Sequence, residues 1–136
     1  MEKKAEYQIS AFVNEGLLEI VLTGEVAESA VKNLANEMIT IIKGNGIENV
    51  LMDVRAFKGR FGVTKAFNSV RTYPPYRLRV NSAIVDLPEN ADYQSFQEKT
   101  SINAGLSYKW FTDIDAARTW LKNKTRQDKA VGQVFD

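Results

Sequence analysis

The 136-residue sequence contains no cysteine and no histidine. Without these side chains the chain has no disulfide, no thiol nucleophile, no cysteine or histidine ligand for zinc or haem, and no histidine-based catalytic triad. There is no apolar N-terminal segment of signal-peptide length and no apolar run of about 18 residues, so we expect a cytoplasmic protein without integral membrane association. We also expect no metal, no cofactor and no catalytic residue, which favours a binding role.

Acidic residues are missing from the middle of the chain. The formal net charge is only +1, but residues 54–85 carry seven lysines and arginines and no aspartate or glutamate. Such a concentration of positive charge attracts acidic proteins, phosphate groups or anionic lipid surfaces. We therefore expect the partner to be an acidic protein or an anionic small molecule or lipid. Nucleic acid is disfavoured, because nucleic-acid-binding domains usually have an isoelectric point above the 7.9 of this chain.

Hydrophobic spacing divides the chain into strands and helices. Alternating or continuous apolar runs predict strands over residues 7–13, 17–23, 49–54, 79–87 and 106–111. Apolar positions three and four residues apart predict helices over residues 27–43, 63–73, 91–104 and 113–121. The turn-like Asn14-Glu15-Gly16 joins the first two strands as a hairpin.

The order of these elements indicates the fold class. After the hairpin, strands and helices alternate, which is typical of a parallel sheet with right-handed crossovers. We expect a single-domain α/β protein with a mostly parallel five-stranded sheet, an antiparallel N-terminal edge strand and four helices. Residues 1–122 would form this domain and residues 123–136 a C-terminal tail. The edge strand or the tail could mediate a homodimer, because open sheet edges are prone to pairing.

Four strings in these elements resemble the SpoIIAA-like branch of the STAS superfamily, which includes bacterial anti-sigma-factor antagonists. They are GLLEIVLTGEV, NVLMDV, RVNSAIVD and WFTDIDAARTWL, and the resemblance covers roughly residues 7–122. It implies a (βα)4 superhelical domain that works by binding another protein or, in related CRAL-TRIO-like members, a lipid or small ligand. Phosphorylated members carry an Asp-Ser-Ser-Gly-like string after the third strand. The corresponding AFKGRFGVTKAF has no serine, which argues against the usual phosphorylation switch unless Thr64 substitutes.

The candidate binding surface is the loop and second helix predicted over residues 55–79. Two glycines lie beside cations where the helix would begin, and free backbone N–H groups at a helix start attract anions. The glycines could equally serve only to form a turn. The side chains predicted to contact the partner or ligand are Arg55, Lys58, Gly59, Arg60, Phe61, Gly62, Thr64, Lys65, Asn68 and Arg71.

Two other functions remain open from the sequence. A small-ligand or lipid-binding domain would place its pocket between the second and third helices. A carboxylate enzyme would use Asp53 and Asp86, which approach the ends of parallel strands where such sheets bind ligands, rather than Asp113 or Asp115. Both of the first two carboxylates could instead cap N–H groups or pair with Arg55 and Arg79.

Aromatic residues allow a similar choice between structure and binding. Tyr73-Pro74-Pro75-Tyr76 is predicted to end the second helix, although exposed tyrosines there would suit a protein interface. Trp110 and Trp120 fall on apolar faces of their elements and are predicted to lie in the core.

Overall fold

A computed structural model describes residues 7–58 and 80–135 of the chain. The strands are β1 (Tyr7–Asn14), β2 (Leu17–Glu25), β3 (Asn49–Lys58), β4 (Asn81–Val85) and β5 (Ser107–Phe111). The α-helices in these ranges are α1 (Val31–Asn45), α2 (Ala91–Asn103) and α3 (Ile114–Phe135). Four helices were predicted, and three are described. The helix predicted over residues 63–73 lies outside the described residues.

The five strands form one sheet in the order β1-β2-β3-β4-β5. Strand β1 is antiparallel to β2, and the other three pairs are parallel. This arrangement confirms the predicted mixed sheet with an antiparallel N-terminal edge strand. Because the strand order follows the chain order, each strand pairs with the one before it in the sequence.

The hairpin between β1 and β2 closes through a two-residue turn. Asn14 pairs with Leu17, and the intervening Glu15 and Gly16 have φ angles of 52° and 81°. Two successive residues with positive φ produce the turn twist that matches a right-handed strand pair. The turn therefore fixes the β1–β2 register, which continues without a bulge from Tyr7 to Asn14.

Helix α1 packs its apolar stripe against one face of the sheet, here called the α1 face. Leu34, Ala35, Met38 and Ile42 are buried in a core with alternate residues of β2 and β3. The helix ends at Gly46, whose φ of 63° lets its N–H bond the carbonyl of Ile42 at 3.2 Å. The predicted helix over residues 27–43 begins four residues too early and ends two residues too early.

Helix α3 covers the opposite face, here called the α3 face, with a smaller core. Its buried members are Leu17, Leu51, Ala83, Val85, Ala117 and Leu121. The helix continues to Phe135, although the apolar pattern ends near residue 121. The extension is rich in lysine, arginine and glutamine, which favour helix without adding an apolar stripe. The division between a domain and a tail at residue 122 stays a prediction.

Helix length and polarity also bear on the membrane question. None of the helices in residues 7–58 and 80–135 combines the length and the apolar character that crossing a membrane requires.

Candidate functional site

The predicted binding surface begins at the end of β3. Arg55 and Lys58 are its two described members, and both are exposed. Its other members lie in residues 59–79, outside the described residues, and so does Tyr73-Pro74-Pro75-Tyr76. The pocket predicted between the second and third helices has its second-helix wall in the same stretch. Those members are Gly59, Arg60, Phe61, Gly62, Thr64, Lys65, Asn68 and Arg71. This surface stays a prediction.

Arg55 is bound by a carboxylate just outside the acid-free stretch. Its Nε lies 2.9 Å from Asp53 Oδ1 and its Nη2 lies 2.8 Å from Asp53 Oδ2, in the fork geometry that suits a guanidinium and a carboxylate. The Arg55 backbone N–H also donates to Asp53 Oδ1 at 3.1 Å. Pairing was one of the structural roles the sequence allowed for Asp53. As a result, Arg55 contributes less positive potential to the surface than its formal charge suggests.

The environment of Asp53 keeps it ionised. Burial raises the pKa of Asp53, but the hydrogen bonds from the Arg55 side chain and backbone lower it more. Arg118 lowers the pKa of Asp53 further through its positive charge. The net effect is a pKa below the ordinary value, so Asp53 is a stable anion at neutral pH rather than a proton donor.

A second arginine–carboxylate pair lies on the same face of the sheet. Glu19 of β2 is only 1% exposed, and Arg118 of α3 donates to both of its oxygens, at 2.8 Å from Nε and 2.9 Å from Nη2. Asn14 adds a third hydrogen bond at 3.0 Å. The Arg118 guanidinium holds the pKa of Glu19 below its ordinary range. The contact joins residues 99 positions apart in the chain.

The charges around these two pairs are acidic on balance. Asp115 bonds Arg118 at 3.3 Å, and the charge of Asp113 raises the pKa of Arg55. We call this set the α3-face charge cluster, and its members are Glu19, Asp53, Arg55, Asp113, Asp115 and Arg118. Four carboxylates and two guanidiniums give it a formal charge of −2. Arg55, the first residue of the predicted cationic surface, therefore lies in a cluster of net negative charge.

Asp86 has different partners from Asp53. It is fully buried after β4 and accepts hydrogen bonds from the Leu87 N–H at 2.7 Å, Asn90 Nδ2 at 3.0 Å and Gln94 Nε2 at 2.8 Å. Gln94 in turn accepts a long hydrogen bond from the Tyr108 hydroxyl, at 3.4 Å. These contacts place Asp86 in a network that holds the start of α2. Capping of nearby N–H groups was the other role considered for this residue.

A groove of about 430 Å³ opens between α2, β5 and α3. Ile102, Ser107, Lys109, Trp120 and Lys124 contribute to its walls. The Ser107 hydroxyl oxygen is buried and has no hydrogen-bond partner among the described residues. Lys124 Nζ lies 5.2 Å from the centre of the Trp120 ring, close enough for a cation–π contact.

This groove was not predicted from the sequence. Trp120 packs against the smaller core as expected, but it is only partly buried and its ring also borders the groove. Trp110 likewise packs against the larger core and remains partly exposed. The spacing of apolar residues gives the same signal for a fully buried ring and for one that also lines a groove.

The fold defines the class of protein: a single-domain α/β protein with the SpoIIAA-like fold. The chain is similar to an anti-sigma factor antagonist from Mycobacterium paratuberculosis, with 15% identity and a TM-score of 0.62 over 86% of this chain and 95% of that one. It is also similar to an uncharacterized protein with a SpoIIAA-like fold from Shewanella loihica PV-4, with 14% identity and a TM-score of 0.51 over 89% and 98%. No family model matches the chain, and no curated protein matches it significantly.

These comparisons confirm the resemblance suggested by the four sequence strings at the level of the fold. Identities of 14–15% carry no assignment of ligand, partner or phosphorylation site. They provide no support for the relation to CRAL-TRIO-like domains.

Proposed function

We propose that the chain is a non-catalytic, cytoplasmic regulatory module that binds an acidic protein through residues 55–79. The observation that carries the proposal is the exposed Lys58 at the end of β3, which leads into five further cations and no acid over residues 59–79. The positive field of such a segment speeds the approach of an acidic surface and selects against a basic one.

The acidic α3-face charge cluster supports this choice of partner. Arg55 is matched by Asp53, and Asp113 and Asp115 lie at the start of α3. The strongest positive potential is therefore expected from Lys58 onward. An acidic partner placed there gains attraction from the loop and is repelled by the cluster, so the two regions together orient it.

The fold gives a second line of support. The similar chain from Mycobacterium paratuberculosis is described as an anti-sigma factor antagonist, a name that denotes action on another protein. The segment after β3 contains no serine until Ser69, and Thr64 is the hydroxyl nearest the loop. We therefore propose binding that does not depend on serine phosphorylation in this loop.

Charge reversal with a matched control tests the proposal. Lys58→Glu combined with Arg60→Glu changes the net charge as much as Lys32→Glu combined with Lys99→Glu, which alters exposed positions on α1 and α2. Each tagged form is incubated with lysate from the source organism, and captured proteins are identified after chemical crosslinking. The expected result is an acidic protein crosslinked within residues 55–79 that the loop variant loses and the control retains. Equal recovery by both variants would refute the proposal.

The groove between α2, β5 and α3 favours a second candidate, the binding of a small aromatic carboxylate. Neither Lys109 nor Lys124 has a carboxylate partner within 4.0 Å among the described side chains. A carboxylate could accept hydrogen bonds from these two ammonium groups while its ring packs on Trp120. The volume falls within the range of small-molecule sites.

Phenylacetate is a suitable probe for this candidate, with neutral 2-phenylethanol as its matched control. Titration followed by amide chemical shifts should perturb Ser107 and Lys109 with phenylacetate more strongly than with the alcohol. Lys124→Gln should raise the Kd for phenylacetate about tenfold, the order expected for one charge-assisted contact. Lys99→Gln should leave the Kd unchanged. Equal responses to the acid and the alcohol would exclude a carboxylate site.

A further inference from the structure

Strand β1 forms an outer edge of the sheet, and no described residue supplies one of the usual devices that protect such an edge. Its eight residues, YQISAFVN, contain no charged residue, no proline and no glycine. Within the described ranges its only strand partner is β2, and no backbone hydrogen bond from another element covers its outer side. Proteins ordinarily protect an edge with lysine, proline, a bulge, a short strand or a covering helix.

The hairpin turn determines which backbone groups face outward. Asn14 and Leu17 flank a two-residue turn, and residues in that position exchange both of their backbone hydrogen bonds. Alternation then directs the backbone groups of Phe12 and Ser10 toward β2. Those of Ile9, Ala11 and Val13 point away from the sheet, and the uninterrupted register preserves this pattern along the strand.

The same three residues also carry an apolar stripe. Ile9, Ala11 and Val13 pair with Leu22, Ile20 and Leu18, so their side chains lie on the α1 face beside the larger core. Ala11 is exposed, and Val13 is 54% exposed. On the opposite face Phe12 is 46% exposed. The edge therefore offers both unpaired backbone groups and uncovered apolar side chains.

We propose that β1 pairs antiparallel with β1 of a second copy of this chain, about a two-fold axis at Ala11. This centre places Ile9 opposite Val13 of the second copy and Ala11 opposite its counterpart. Each of these outward-facing residues can then exchange two backbone bonds, roughly six in all. The two sheets become one continuous sheet of ten strands, and the apolar stripes extend each other on the α1 face.

The absence of charge in β1 favours a second copy over another partner. A two-fold axis places a residue near its own counterpart, so a charged residue close to the axis would meet an equal charge, which destabilises a strand pair. Nothing in YQISAFVN creates this conflict. The strand is self-complementary in backbone, shape and charge, and this inference does not depend on the proposed binding of an acidic protein.

The lack of cysteine allows the register to be tested directly. In Ala11→Cys each chain carries one thiol, and the paired Cα atoms of a hydrogen-bonded antiparallel pair lie about 5.5 Å apart, within disulfide range. Mild oxidation of the full chain should crosslink Ala11→Cys to a dimer. Val13→Cys should crosslink poorly by itself, because its partner is Ile9, and efficiently when mixed with Ile9→Cys. Ser95→Cys, on exposed α2, measures random collision.

Sedimentation velocity supplies the second measurement. The wild-type chain should shift from monomer to dimer as its concentration rises from about 1 to several hundred micromolar, the weak range expected for a small interface. Ala11→Lys should stay monomeric with unchanged circular dichroism, whereas Ser95→Lys should associate like the wild type. A wild-type chain that is monomeric throughout, or equal crosslinking of Ala11→Cys and Ser95→Cys, would overturn the proposal.

Discussion

Strands β1 and β5 are the two outer edges of one sheet, and they differ in how they are covered. Just before β5 the Leu106 N–H donates to the Ser101 carbonyl, and within β5 the Trp110 N–H donates to Glu98 Oε1, both at 2.9 Å. Helix α2 thus occupies backbone sites that an added strand would need. In the described residues β1 has no comparable cover. Helix α2 therefore prevents strand addition at β5, whereas the described residues leave β1 open to it.

The β1 and β5 ends of the sheet are also held to the helices by different kinds of polar contact. On the β1 side, two ion pairs join the hairpin to α3, Glu19–Arg118 and Glu15–Lys122. A hydrogen bond from the Tyr7 hydroxyl to the Glu37 carboxylate joins it to α1. On the β5 side, amide groups surround the buried Asp86. The β1 side should therefore respond more strongly to pH and to loss of a single charge, while the β5 side should respond to loss of neutral hydrogen bonds.

Removing Arg118 should give the largest effect on stability. Arg118→Met leaves Glu19 as a buried carboxylate with only Asn14 as a donor, and breaking such a pair costs about 3 kcal/mol. Urea denaturation followed by circular dichroism measures the loss. The control is Glu19→Leu with Arg118→Met, which removes both charges and should recover most of the stability. If Arg118→Met alone lowers the free energy of unfolding by less than about 1 kcal/mol, the Glu19–Arg118 pair behaves as a surface ion pair and the prediction is wrong.

Removing the buried amide on the β5 side should have a smaller effect. Gln94→Met keeps a similar volume but takes one donor from Asp86 and the acceptor from Tyr108, with an expected loss of about 2 kcal/mol. Gln97→Met, at a partly exposed position of the same helix, is the matched control. Equal losses in the two variants would show that the network around Asp86 does not stabilise α2.

Uncovering the β5 edge should have a smaller and more local effect. Glu98→Ala removes the acceptor of the Trp110 N–H, with an expected loss of about 1 kcal/mol. Hydrogen exchange of the Trp110 amide should accelerate severalfold, whereas the neighbouring Lys99→Ala should leave it unchanged. Unaltered exchange in Glu98→Ala would mean that the side chain does not protect this edge.

The smallest expected effect is an alkaline transition on the β1 side. The hydrogen bond to Glu37, with burial and the glutamate's charge, raises the pKa of Tyr7 from 10.0 to about 12. The stabilising effect should be fully present below pH 10 and should disappear as pH rises toward 12, because only the protonated phenol donates. Ultraviolet absorbance should show a late-titrating tyrosine whose contribution is lost in Tyr7→Phe. Titration of all tyrosines near pH 10 would refute this assignment.

Local sequence patterns account for most of the described fold. The Asn14-Glu15-Gly16 turn, the apolar stripe of α1 and the short strand runs each depend on neighbouring residues, and their spacing is visible in the chain. The pairing of Asp53 with Arg55 was also predictable as one of two roles, because residues two positions apart in a strand point to the same face of the sheet. The same apolar spacing predicted the order of the described strands and helices along the chain.

Contacts between distant elements were not predictable in the same way. Glu19 stands out as a charged residue in an apolar strand, but its partner Arg118 is identified only when α3 is placed across the sheet. The groove at Ser107 is lined by residues of α2, β5 and α3 that lie far apart in the sequence. Periodicity placed Trp120 on an apolar face without showing that part of its ring stays exposed.

The sequential strand order has a consequence for folding during synthesis. Each strand that leaves the ribosome finds its pairing partner already made, although the three parallel pairs join residues 26 to 33 positions apart and are therefore slower to form than the β1–β2 hairpin. The exception is the α3 face. Leu17 and Leu51 remain without their helical cover until Ala117 and Leu121 have been made. A nascent chain therefore carries an assembled sheet with one bare apolar face, a stage at which a chaperone would have most to protect.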